Sequence, residues 1–151
     1  MLGGVEGPFG PGSAGFALDT SCAPWRAGDV DDVGEEVLGQ MALRIYGVAI
    51  EMVRVVAGFA RQIEPRDPDL ARQLRRASSS VPLNLNEGLH SQGRNREARL
   101  FNAMGSAKET LACVDVAAAL GYVSEQAAAT ERDRLDRIVA TLWKLIHRSR
   151  R

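Results

Sequence analysis

The chain has 151 residues, 19 basic side chains balanced by 19 acidic ones, few aromatics and two cysteines. That length fits one domain, with or without a tail. Two isolated cysteines, Cys22 and Cys113, make neither a disulfide framework nor a metal-ligand spacing, and no apolar run reaches the roughly 18 residues of a membrane span. Scarce aromatics beside abundant alanine favour a helical protein over a sheet protein. The first residues lack a basic segment followed by an apolar one, so no signal peptide is expected and the cytoplasm is the expected location.

Residues 1–37 are rich in Gly, Pro, Ser and Asp and show no helical or alternating period. They are expected to be disordered. They hold one base, Arg26, against seven acids, a net charge of −6, so the remainder is +6. An acidic tail on a basic domain points to a polyanion partner for the domain. The tail reads either as an interaction segment or as sequence upstream of a true start near Met41.

Four amphipathic helices follow. The first is expected over residues 38–63. It carries one apolar stripe (Met41, Ile45, Val48, Met52, Val55, Phe59, Ile63) and a second on the opposite side (Leu43, Tyr46, Ile50, Val53, Ala57). Two stripes imply two dry contacts. After the break at residues 64–67, Asp67 is an N-cap and Pro68 opens a second helix that runs to Leu89. On it, Leu70, Leu74, Ala77, Val81 and Leu85 share one side, and Arg72, Arg75 and Arg76 the other. Pro82 is expected to kink it, and Gly88 is a good stop. Residues 90–94 form a link.

The third helix is expected over residues 95–120. Its heptad-like seam is Leu100, Met104, Ala107, Leu111, Val114 and Ala118, beside a stripe of Phe101, Gly105, Ala112, Val116 and Ala119. Gly121 suits a left-handed stop with Tyr122 folding back. Ser124 caps the fourth helix, whose apolar residues include Ala128, Leu135, Ile138, Leu142, Leu145 and Ile146. Links this short predict an all-α, antiparallel up-down-up-down four-helix bundle over residues 38–151.

Four ordered motifs stand out. They are Gln73-Leu74-Arg75-Arg76-Ala77; Ser80-Val81-Pro82-Leu83-Asn84-Leu85-Asn86-Glu87-Gly88; Gly105-Ser106-Ala107-Lys108-Glu109; and Leu120-Gly121-Tyr122. Together they resemble the four-helix bundle proteins first noticed in intervening sequences of bacterial large-subunit ribosomal RNA genes, over about residues 40–147. The resemblance implies the bundle fold and a pentameric homo-oligomer. A related branch includes the accessory protein of diversity-generating retroelements, a ring of five bundles that works with a reverse transcriptase and nucleic acid. After Gly88 the sequence departs from the family's common pattern.

Signals for catalysis are weak. Glu87-Gly88-Leu89-His90 has the Glu-x-x-His spacing of di-iron bundles, but such sites need a second motif, and the residue three before His147 is Lys144. The serines lack an elbow motif and an obvious base, and no phosphate-cradling loop is present. The expectation is a non-enzyme without metal or cofactor. Pro82, Asn84, Glu87, Gly88, Gly105, Ser106 and Glu109 read as structural. Asn84 and Glu87 can satisfy carbonyls freed by Pro82, Gly105 and Ser106 permit close helix packing, and Glu109 can meet Arg76, Asn84 or Ser106.

The arginines are the functional candidates. Arg72, Arg75 and Arg76 share a face, and Arg94, Arg96 and Arg99 cluster at the start of the third helix, where the dipole disfavours cations. Clustered arginine binds phosphate; the competing reading is that Asp67, Asp69, Glu97 and neighbouring acids pair with these arginines. The expectation is electrostatic, salt-dependent binding of RNA or DNA backbone. The alternative is a protein-interaction scaffold that docks a partner such as a polymerase.

Overall fold

A computed structural model describes residues 35–148. It has four helices: α1 (Glu35–Ile63), α2 (Pro68–Leu89), α3 (Gly93–Ala119) and α4 (Glu125–Arg148). No strand occurs among the described residues. The expected tail, residues 1–37, lies outside the described residues except for 35–37, which open α1. No proline or glycine separates Glu35 from Leu38, so nothing in the backbone delays the helix until Leu38.

Most helix ends form as their capping residues dictate. Asp67 Oδ1 accepts the Leu70 N–H at 2.9 Å, with Pro68 in the first turn. Ser124 Oγ accepts the Ala127 N–H at 3.3 Å. Beyond α3, Gly121 sits at φ +69°. There the Tyr122 N–H donates to the Ala117 carbonyl at 2.8 Å and the Gly121 N–H to Ala118 at 2.9 Å. Those two bonds are a Schellman stop, and Tyr122 packs back on the core.

Two glycines behave otherwise than expected. Gly88 is no stop. It is buried inside α2, which continues to Leu89 and is capped at His90. A Cβ there would lie 2.8 Å from Leu100 Cδ2, so the missing side chain is what lets α2 and α3 close together. Gly93 is not in the link. It takes φ +56° as the first residue of α3, two residues before the expected start.

Links at residues 64–67, 90–92 and 120–124 are too short for crossovers. α1 packs on α2 and α4, and α3 also packs on α2 and α4. Arg66 in the first link stands 5.9 Å from the ring centroid of Tyr122 in the third, which places both links at one end. The bundle is therefore up-down-up-down. Among the described residues no helix is long and apolar enough to cross a membrane.

The α1 core follows a three-four repeat through Ala42, Ile45, Ala49, Met52, Val56 and Phe59. In α3 the register differs from expectation. Ala103, Thr110 and Ala117 are fully buried, whereas Met104, Leu111 and Ala118 are only half-buried. α2 presents Ala77, Ser78 and Gly88 on its buried side. A close approach of that kind selects the small side of α3 as the innermost one. The second apolar stripes find no full cover within the protomer: Leu43 is 75% and Tyr46 38% exposed, and Phe101, Gly105, Ala112, Val116 and Ala119 are all exposed.

Candidate nucleic-acid interface and polar cleft

The three arginines of α2 leave the same face and meet different neighbours. Arg72 Nη2 pairs with Asp69 Oδ1, one turn back, at 2.6 Å. Arg75 reaches toward α1 and grips Glu64 with both terminal nitrogens, at 2.9 and 2.5 Å. That grip holds the Glu64 carboxyl below the usual carboxylate range. Arg76, turned a further 100°, lies toward α3 and lines a cleft. Its guanidinium makes no ion pair or hydrogen bond among the described residues.

The start of α3 is built differently from the starts of α2 and α4. Asp67 caps α2 with Asp69 in its first turn, and Ser124 caps α4 with Glu125 in its first turn. Gln92 at the α3 N-cap gives no side-chain bond, and the first turn holds no acid. The first N–H groups and the positive end of the helix dipole therefore have neither a side-chain cap nor a first-turn acid. Arg94 and Arg96 are added there, and neither forms an ion pair among the described residues. Arg99 does: its Nη1 is 2.9 Å from Glu87 Oε2 across the α2–α3 contact.

The six arginines form two groups. Ser80–Ser106 and Glu87–Arg99 contacts fix the antiparallel register of α2 and α3. At 1.5 Å per residue that register puts Arg94 about 24 Å along the axis from Arg76. Arg94, Arg96 and Arg99 all lie within the first two turns of α3, and the α2 arginines lie nearer the opposite end.

Between these groups the motif residues form a polar network. Asn84 Nδ2 donates to the Ser80 carbonyl and to Ser80 Oγ, both at 2.9 Å. Ser106 Oγ donates to Ser80 Oγ at 2.9 Å. Asn84 thus binds the Ser80 carbonyl, one turn before it, and not the Ser78 carbonyl that the missing Pro82 N–H leaves free. Glu87 serves the interhelical ion pair instead. Glu109 accepts from Gln73 Nε2 at 2.7 Å, not from Arg76 or Asn84. Gly105 is exposed and a Cβ there would meet nothing within 4 Å, so it has no close-packing role within the protomer. The cleft itself, about 330 Å³, is lined by Gln73, Arg76, Ala77, Ser80, Ser106 and Glu109.

The 23S rRNA-intervening sequence protein family model matches residues 41–144, which includes all these motifs. The chain belongs to that family. No curated protein matches it. A similar solved structure is that of a protein of unknown function from the S23 ribosomal protein family of Bacteroides thetaiotaomicron. It superposes with a TM-score of 0.63 at 16% identity, over 68% of this chain and 97% of that one. At that identity the likeness establishes the fold.

One residue outside the family motifs went unnoticed in the sequence. Glu131 is 1% exposed and occupies the α4 core slot between Ala128 and Leu135. Its Oε2 takes Arg134 Nη1 at 2.5 Å, and its Oε1 has no hydrogen-bond partner among the described residues. Burial pushes its pKa up to about 7, Arg134 opposes that, and Glu51 on α1 adds to it. Apolar spacing carried the signal: Leu135, Ile138, Leu142 and Leu145 step back by three and four to position 131. His90 Nδ1 donates to the Asn86 carbonyl at 2.8 Å, and among the described residues no three His, Cys, Asp or Glu converge on a metal position. Cys113 is a buried core residue whose thiol is pushed up by burial and, secondarily, by Glu109.

Proposed function

We propose that this protein is a non-enzymatic, cytoplasmic, oligomeric bundle that binds nucleic-acid backbone through Arg72, Arg75, Arg76, Arg94, Arg96 and Arg99. Arg94 and Arg96 lead. The observation that carries this reading is the start of α3: a helix N-terminus with no side-chain cap, no acid in its first turn, and two arginines without an ion pair among the described residues. A backbone phosphate there gains both N–H groups and charge-assisted arginine bonds. Arg72, Arg75 and Arg99 must first release a carboxylate and contribute less. Fluorescence anisotropy with a labelled RNA duplex tests this. Charge reversal at Arg94 and Arg96 is expected to abolish binding, and reversal at Arg72 and Arg75 to weaken it. Unchanged binding in the Arg94/Arg96 variant refutes the assignment.

A second reading, a protein-interaction scaffold, is favoured by the outward apolar residues Leu43, Phe101 and Val116, which are 75%, 39% and 45% exposed. The same residues support assembly into a pentameric ring, which would multiply a modest basic site by avidity. A stable oligomer that ignores RNA at low salt and retains a defined protein partner in pull-down would favour the scaffold.

A further inference from the structure

We infer that the α2–α3 cleft is a binding site for a small zwitterion of the α-amino-acid class. The cleft measures about 330 Å³, room for a free amino acid and its water. Its walls carry one positive and one negative group, Arg76 from α2 and Glu109 from α3, and no ion pair joins them among the described residues. Opposite charges that line one cleft without bridging each other are matched by a ligand that carries both charges on adjacent atoms.

The hydrogen-bond directions agree with this. Ser80 Oγ accepts from Asn84 Nδ2 and shares a hydroxyl–hydroxyl bond with Ser106 Oγ, both at 2.9 Å. That bond uses one O–H proton of the serine pair and leaves the other to donate. The Arg76 guanidinium and that hydroxyl are then two donors for a carboxylate. On the facing wall, Glu109 Oε1 takes the Gln73 carboxamide at 2.7 Å, and Oε2 is open to an ammonium. The Gln73 bond also orients the Glu109 carboxylate, so less side-chain freedom is lost on binding. Ala77 is the one apolar residue in the lining, so the ligand's side chain is short or polar. A lone anion would meet Glu109 as well as Arg76, and a lone cation the reverse. The cleft therefore selects against both half-ligands by repulsion.

The test uses the full chain and three small probes: L-serine, which carries both charges; L-lactate, which carries the carboxylate; and ethanolamine, which carries the ammonium. Backbone amide NMR titration follows each. L-Serine is expected to shift the amides of residues 73–80 and 106–109 saturably, and each half-ligand to bind at least about tenfold more weakly. Arg76→Gln and Glu109→Gln should each bring L-serine down to that level. Both side chains are exposed, so these variants should fold, and the wild-type titration stands without them. Serine binding no tighter than either half-ligand, shifts confined to other residues, or full affinity in both variants would overturn the inference.

Discussion

Glu131 makes the strongest stability prediction. Its carboxyl is buried in the α4 seam, with one oxygen on Arg134 and the other without a partner among the described residues. Its pKa is about 7 in the folded chain against an ordinary 4.5. Below about pH 4.5 the group is protonated in both states and does not bias folding. Between 4.5 and 7 the unfolded chain ionises it while the folded chain keeps the proton, so stability falls as pH rises. Above 7 the loss is complete, and at 1.36 kcal/mol per pKa unit it amounts to about 3 kcal/mol. Glu64 and Glu125 are shifted the other way by their arginines. Their effects fall below pH 4.5, outside this window. Urea unfolding followed by circular dichroism at pH 5.5 and pH 8 should show wild type weaker at pH 8. Glu131→Gln should remove most of that difference. Glu131→Leu should raise stability at pH 8 by about 2 kcal/mol, since an apolar residue in place of a poorly satisfied buried carboxylate is commonly stabilising. A Glu131→Leu variant less stable than wild type at pH 8, or a pH slope that survives in Glu131→Gln, would refute the reasoning.

Three further outcomes are expected. Gly88→Ala should destabilise the fold by about 1 kcal/mol in urea unfolding, because overpacking against fully buried Leu100 outweighs alanine's helix preference; a stabilised variant would mean Leu100 has room to move. Gly121→Ala should lose about 1 kcal/mol, because the stop needs φ +69°, and no loss would mean that the stop is dispensable. Leu43→Glu with Val116→Glu should leave the monomer's thermal midpoint nearly unchanged, since both residues are exposed, and should dissociate the oligomer in sedimentation; an intact oligomer would place the interface elsewhere.

Helix ends were legible wherever one residue carries the physics: Asp67 before Pro68, Ser124, and Gly121 before Tyr122. Each acts on its own backbone, so local sequence suffices. The α3 seam was not legible, because Ala103 and Ala107 compete with Met104 and Leu111 for the inner side. Apolar periodicity cannot rank alanine against leucine when a close-packed α2 rewards the smaller residue. Gly88 misled for the same reason: a glycine near a helix end reads as a stop, and here its value is the space it leaves for Leu100 on another helix. At the candidate site the arginine face was visible, and so was Asp69 as a partner one turn from Arg72, whereas Glu64 and Glu87 as partners were not. Arg75 and Arg76 are adjacent in sequence, yet one meets Glu64 before α2 and the other faces α3. Glu131 was hidden because a carboxylate is ordinarily read as solvent-facing, even at a core position of the repeat.

The central claim is that an oligomeric bundle binds nucleic-acid backbone by charge. Light scattering coupled to size exclusion tests it most directly, on the full chain with and without a short RNA duplex, at about 50 mM and 200 mM salt. The account predicts an oligomer whose mass increases by bound duplex at the lower salt and loses it at the higher salt. A monomer with no mass change at either salt would contradict it.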